Sequence, residues 1–319
     1  MNNQTEVSII CTCYNHEKYL RTCLDGLVMQ KTSFPFEIIV HDDASTDSSA
    51  EIIREYEQKY PDLIRPIYET ENQYQKNKAI IRQICSAKAS GRFFAFCEGD
   101  DYWTDPMKLQ KQYDFMNAHP DYSLCACSTK WIDQLTGKVK PQGSTDQDMD
   151  VPLEDIILEK NGRIFIFVSY FIKREFYDNF PTWRFPIGDY PLSVCAALHG
   201  KVRMLASPMC VYRYHAAGSW TQNMNGDAQR KRISERMIEG LEDLNRDTEG
   251  KYEEVISKRI LRHRYTEALM DHNFQASRQD SKLYEMYRGR KMFYRFSDRL
   301  HCASPKLFHM MNKLLKRED

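Results

Sequence analysis

The chain has 319 residues, enough for one large α/β domain or for such a domain with a helical appendage. Lys plus Arg and Asp plus Glu balance at 45 each, so no overall field draws the protein to nucleic acid. No apolar run approaches the roughly 20 residues of a membrane-spanning helix, and the polar start from Asn2 to Glu6 is unlike a secretory segment.

The ten cysteines mostly lie in apolar stretches, which suits reduced core thiols in a cytoplasmic protein better than a disulfide framework. Cys125-Ala126-Cys127 has no second Cys/His pair at zinc spacing.

Val7 to Cys11 reads as a first strand, followed by the turn Thr12 to His16. Leu20, Cys23, Leu24, Leu27 and Val28 then recur at helical spacing. Phe36 to Val40 is a second buried strand, ending in His41-Asp42-Asp43-Ala44-Ser45-Thr46-Asp47. Ser48 and Glu51 have the spacing of a capping box for the next helix. Ile64 to Tyr68 is a short strand whose Pro66 predicts a sheet edge. A loop from Glu69 to Asn77 leads to a helix through Ile80, Ile81, Ile84 and Ala87, which Gly91 is expected to close.

Phe93 to Cys97 is the most apolar strand, and it runs directly into Glu98-Gly99-Asp100-Asp101-Tyr102-Trp103. A strand buried on both faces delivers such residues to the carboxyl edge of the sheet, where open α/β sheets hold ligands. Three carboxylates in four positions repel one another unless a cation or a proton intervenes, and a hard divalent ion bridging to phosphate meets that need. The alternative is a solvated acidic turn. Thr104-Asp105-Pro106 opens a further helix through Leu109, Tyr113 and Met116.

Strand and helix alternate through about residue 120, the pattern of a parallel sheet wound with helices. Beyond it, Ser123 to Ser128, Ile164 to Val168, Tyr170 to Ile172 and Val202 to Val211 read as strands, with a polar loop from Thr136 to Asp150. Asp189 heads a helix bearing Leu192, Val194 and Leu198. From about Gly226 the texture becomes helical, with Ile233, Met237, Leu241 and Leu244 on one stripe. Residues 282–319 carry ten Lys and Arg against four Asp and Glu between apolar residues. Such a tail suits either an anionic membrane surface or a helical cap with its basic face in water.

In order, Val7 to Ile10 with Tyr14-Asn15, Phe36 to Asp47, Glu98 to Trp103, Gly188-Asp189-Tyr190 and Arg213-Tyr214-His215 resemble the motifs of family-two glycosyltransferases. The resemblance covers about residues 5–220. It implies a GT-A fold, Rossmann-like with a mostly parallel sheet flanked by helices, over residues 1–225. Residues 226–319 form a helical C-terminal extension. The implied reaction moves one sugar, with inversion, from a nucleotide-sugar donor, usually a UDP-sugar, to an acceptor hydroxyl.

By the same resemblance Thr12, Tyr14, Asp42 and Asp43 line the nucleotide pocket, with Arg82 facing the donor. Asp100 and Asp101 divide metal and ribose between them in an order the sequence does not fix. His215 completes the set around Mn²⁺ or Mg²⁺, Asp189 is the general base and Trp103 lines the acceptor side. Each has a plainer reading: Asp42 and Asp43 as helix caps, Arg82 on a helix surface, Asp189 as an N-cap, His215 as an ordinary histidine and Trp103 as packing. The acceptor is expected to be a saccharide or lipid-linked saccharide at the inner face of a membrane. Rival functions are a sugar nucleotidyltransferase, for which no glycine-rich basic loop follows the first strand, and a non-catalytic nucleotide-sugar-binding module.

Overall fold

The structure is a computed structural model that describes residues 4–142, 145–160, 165–186, 188–219 and 226–271, with positions 285, 297–300, 303, 304 and 307. Residues 1–181 with 188–223 form one compact unit, and residues 182–187 with 224–319 form a second.

In the first unit, β1 (Val7–Cys13), β2 (Phe36–Asp42) and β3 (Ile64–Tyr68) alternate with α1 (Leu20–Val28) and α2 (Ser49–Lys59). The short α3 (Gln73–Lys76) and α4 (Lys78–Lys88) then lead to β4 (Phe93–Phe96). These strands pair in the parallel order β3-β2-β1-β4. β4 is buried throughout, as are nearly all positions of β1 and β2, which explains their continuous apolar runs. β3 lies at the end of the sheet, where Pro66 removes no ladder bond that a further strand would need.

After β4 come β5 (Tyr102–Trp103), α5 (Lys108–Ala118), β6 (Tyr122–Asp133), β7 (Val139–Gln142), β8 (Met149–Asp150) and α6 (Leu153–Leu158). A 3₁₀ turn at Phe167–Ser169 precedes β9 (Phe171–Lys173), α7 (Arg174–Asp178), α8 (Asp189–His199) and β10 (Lys201–Tyr214). Here the sheet is mixed. β9 is antiparallel to both β4 and β6, β10 is parallel to β6, and β5 is antiparallel to the far end of β10. The 14 residues of β10 keep pace with β6 only through register shifts around Pro208, which cannot donate to the ladder.

Several local expectations change. Ser48 makes no side-chain cap; instead Asp47 Oδ1 accepts the Ser49 N–H at 2.9 Å. Gly91 serves close approach rather than helix closure, since a Cβ there would lie 2.5 Å from the Ser8 nitrogen. The polar stretch from Thr136 contains β7 and β8. Phe167 and Val168 belong to the 3₁₀ turn rather than to a strand, and Ile164 lies outside the described residues.

In the second unit, α9 (Asp227–Asp247) packs on α10 (Glu253–Met270), and Met237, Leu241 and Leu244 of α9 are buried. Asp243 receives the Arg184 backbone N–H and a two-pronged guanidinium contact, at 2.8–3.0 Å. The Arg184 contacts hold the Asp243 carboxyl well below the usual carboxylate range. Most of the basic stretch 282–319 lies outside the described residues.

One packing contact fixes α1 against β5. A Cβ on Gly26 would lie 2.6 Å from the Trp103 carbonyl oxygen and 3.0 Å from its nitrogen. Alanine normally gains roughly 1 kcal/mol over glycine inside a helix, but here it meets backbone that cannot rotate away. Gly26→Ala is expected to destabilise the protein by roughly 1–3 kcal/mol, the range for overpacking, read as a lower urea midpoint.

Candidate active site

The parallel order carries the ends of β1, β2 and β4 to one rim of the sheet. The ends of β1 and β2 are laced together by their polar residues. Asn15 N–H donates to Ser45 Oγ at 2.9 Å, and Thr46 N–H to Asn15 Oδ1 at 2.7 Å. His16 N–H donates to Ser49 Oγ and Glu17 N–H to Asp47 Oδ2. Asn15 and Ala44 both adopt left-handed backbone, with φ of 58° and 60°. Non-glycine residues seldom do so unless their surroundings hold them, and such positions gather at functional sites. His215, just past the end of β10, is a third, with φ of 58°.

At the end of β4, Gly99 N–H donates to the Thr12 carbonyl at 2.8 Å, which ties the acidic turn to β1. Glu98, Asp100 and Asp101 each offer a carboxylate oxygen within 4.8 Å of the others, and both aspartates are buried. Burial first, then the charges of Asp100 and Glu98, push the Asp101 carboxyl well above its ordinary range. β10 answers this charge from more than a hundred residues away. Arg213 N–H donates to Asp101 Oδ1 at 2.8 Å, and Arg213 Nη1 donates to the Asp100 carbonyl at 2.7 Å. The guanidinium lies 4.3 Å from the centre of the Tyr102 ring.

Asp42 and Asp43 are both 3% exposed. Asp42 Oδ1 accepts weakly from Ser45 N–H at 3.4 Å, and burial raises its pKa. Asp43 accepts the Gln73 and Tyr74 N–H groups at 2.7 and 3.1 Å, so it caps α3 rather than α2. Thr12 is half-buried at the end of β1, and Tyr14 is exposed beyond it.

Asp189 begins α8, half-buried, with Oδ1 accepting the Tyr190 N–H at 2.8 Å. Tyr170 Oη donates to the Asp189 carbonyl at 3.3 Å. β9 is antiparallel to β4, so its first residue lies beside the end of β4 that leads to the acids. Tyr170 directly precedes that residue. Asp189, Tyr170, Tyr190 and Ser193 line a recess of about 20 Å³, room for about one water.

The other three candidates, His215, Arg82 and Trp103, make the following contacts. His215 pairs through Nδ1 with Asp133 Oδ1 at 3.3 Å and packs on Tyr214, and the acidic grouping at β4 contains Glu98 in its place. Arg82 donates to the Tyr177 carbonyl at 3.1 Å and lies over Phe180, and burial lowers its pKa. Trp103 is 1% exposed, so it is core rather than a platform for sugar. Its Nε1 donates to the Val168 carbonyl at 3.1 Å, and the buried Lys108 ammonium lies 4.0 Å from its ring centre. The side chains underweighted from sequence are Asn15 and Glu98. Glu98 stands beside the two aspartates and is detectable by charge alone; Asn15 belongs to the Tyr14-Asn15 motif, but its bonds to Ser45 and Thr46 are not legible from the sequence.

The model of the family described as glycosyl transferase family 2 matches residues 8–180. The chain belongs to glycosyl transferase family 2. Uncharacterized protein Rv1520 of Mycobacterium tuberculosis is 40% identical over 218 residues, 67% of this chain and 60% of its own length. The chain thus spans about 60% of that relative. The putative teichuronic acid biosynthesis glycosyltransferase TuaG of Bacillus subtilis is 36% identical over 111 residues, 34% of this chain and 41% of its own. S. aureus TarS residues 1–349 in complex with UDP superimposes with a TM-score of 0.59 at 18% identity, covering 94% of this chain and 81% of that one. The mannosyltransferase PcManGT from Pyrobaculum calidifontis, in complex with GDP-Man and Mn²⁺, gives 0.57 at 17% identity, covering 95% and 87%. These likenesses establish the GT-A fold. Among the described residues, no helix is long and apolar enough to cross a membrane.

The acidic grouping of this family-2 chain fits a divalent cation: hard oxygen donors, close together, partly desolvated and mutually repulsive. Because Asp101 is raised, its ionisation costs stability as pH climbs from the ordinary carboxylate range toward its folded value. Mn²⁺ at neutral pH should therefore raise the melting temperature of the wild type. Asp101→Asn keeps an acceptor for the Arg213 N–H and should be at least as stable without metal, yet lose most of the Mn²⁺-induced rise. Differential scanning calorimetry over pH 5–8, with and without Mn²⁺, measures both.

Proposed function

We propose that this protein is an inverting glycosyltransferase that moves a single sugar from a nucleotide-sugar donor, a UDP-sugar, to an acceptor hydroxyl. The observation that carries the reading is the Arg213 contact with Asp100 and Asp101, which gathers β4 and β10 at the rim formed by β1 and β2. A leaving nucleoside diphosphate gathers negative charge on its phosphates, and a site must meet that charge with preorganised positive groups. A divalent cation, when bound by Glu98, Asp100 and Asp101, would supply that charge stabilisation. Thr12, Tyr14, Asp42 and Asp43 bind and orient the nucleoside portion of the donor, and Arg213 holds the acid-bearing turn in place.

Asp189 takes the proton from the acceptor hydroxyl as that oxygen attacks. An inverting displacement needs one base opposite the leaving group and no enzyme nucleophile. The side chain suits this role: it is a half-buried carboxylate at a helix start, with Oδ1 accepting the Tyr190 N–H. The UDP complex of TarS and the teichuronic acid assignment of TuaG support a UDP-sugar donor and a role in bacterial surface polysaccharide synthesis. The basic composition of residues 282–319 supports a cytoplasmic enzyme at the inner membrane face acting on a lipid-linked saccharide.

Asp189→Asn is expected to lower turnover at least about 100-fold, the lower bound usual for a lost general base, with UDP affinity within about twofold of wild type. UDP release from a panel of UDP-sugars and calorimetric UDP titration measure the two. Normal turnover by the variant would remove Asp189 from the role.

A further inference from the structure

We propose that the β6–β7 hairpin is a membrane-contact surface. Leu135 and Val139 enter the headgroup boundary of an anionic bilayer, and Lys130, Lys138 and Lys140 meet its phosphates. The inference rests on the reading of an enzyme at the inner membrane face and gives that reading a surface outside the basic tail.

Leu135 is 69% exposed and Val139 59%, more than any other large apolar side chain among the described residues. The turn that presents them is well bonded. Asp133 Oδ1 accepts the Leu135 N–H at 2.9 Å, and Gly137 N–H donates to the Asp133 carbonyl at 2.7 Å. Gly137 holds φ at 68°, which a side chain would strain. Leu135 is thus fixed at the tip of a tight turn with no core within reach.

Single exposed apolar residues are ordinary; the charge around this pair is not. From Thr129 to Pro141 the sequence holds Lys130, Lys138 and Lys140 against one acid, Asp133. Lys130 and Lys140 are exposed and Lys138 is half-buried, while Asp133 is engaged by His215 Nδ1 and the Leu135 amide. Alkyl groups at a tip flanked by ammonium groups suit an interface where chains enter apolar material and charges stay at the phosphates. A protein partner adding a strand fits less well. Among the described residues β7 pairs with β6 alone, and its Lys140 and Pro141 are residue types that keep an open edge from pairing.

The hairpin is also tied to the site. Ile132 is in register with Arg213, whose amide donates to Asp101, and Gln134 N–H donates to the Tyr214 carbonyl at 2.9 Å. A bilayer touching the hairpin would therefore lie against the strand end that carries Arg213.

Co-sedimentation of the full chain tests the proposal, with vesicles of phosphatidylcholine alone and of an equal mixture with phosphatidylglycerol. The wild type is expected to bind the mixed vesicles in preference to the neutral ones. Leu135→Ser with Val139→Ser should weaken that binding about tenfold or more, through lost apolar contact. Lys130→Gln, Lys138→Gln and Lys140→Gln together should weaken it about fivefold for each lysine. Leu135→Met with Val139→Ile keeps the apolar surface and should bind as the wild type does, which separates lost contact from lost fold. Wild-type affinity in either the serine or the glutamine variant, or equal wild-type binding to both vesicle types, would overturn the hairpin surface. If the wild type bound no vesicles, the membrane reading itself would fall, a result distinct from a failure of the hairpin alone.

Discussion

Three carboxylates held within 4.8 Å of one another at the end of a buried strand set the terms for the rest of this fold. Two charges at that separation repel by roughly 3–4 kcal/mol at an effective dielectric near 20, against a total stability of about 5–15 kcal/mol for a whole domain. The fold offsets part of this with the Arg213 amide on Asp101 and keeps the remainder. A sequence selected only for stability would replace such a cluster with apolar residues of similar size. Such a cluster, with both aspartates buried, is compatible with a divalent cation that would relieve the repulsion.

The surroundings of that cluster are correspondingly stiff. Asn15, Ala44 and His215 hold left-handed backbone, and the first two are fixed where side chains of β1 and β2 cross-bond. A rim assembled in advance needs little reorganisation when charge develops in a transition state, which is where electrostatic catalysis gains most. Asp43 extends this arrangement outward by fastening α3 to the end of β2. The same polar residues that sequence patterns assign to helix caps thus work mainly as fasteners between strand ends. Asp47 does both, accepting Glu17 N–H on one oxygen and Ser49 N–H on the other.

The half of the sheet from β3 to β4 was legible because burial on both faces imposes continuous apolar runs, and helices separate them at regular intervals. The other half was not, because its pairing depends on partners distant in sequence. β9 has three residues yet joins β4 to β6, and no window that short distinguishes it from the adjoining 3₁₀ turn. Around the site, charge was easier to read than contact. Asp100 and Asp101 stand out in any sequence, whereas the partners of His215 and Trp103 follow from how β6 and β10 and the 3₁₀ turn pack. Trp103 in particular sits in a two-residue strand whose antiparallel partner, Cys210, comes over a hundred residues later.

The cysteines beneath the site show how the acids shape even the apolar core. Cys23 Sγ lies 3.6 Å from Cys97 Sγ and 3.8 Å from Cys11 Sγ, directly below the turn that carries Glu98. Burial pushes the Cys97 thiol up to about 12, and the negative charge of Asp101 adds to the rise. A thiolate is the species that attacks disulfides and binds soft metals, so these groups stay neutral and unreactive at neutral pH. A thiolate there would also repel the carboxylates above it. The neutrality of the thiols and the presence of the acids are therefore mutually reinforcing, and small, uncharged cysteines satisfy both the tight packing of α1 and the electrostatics of the rim.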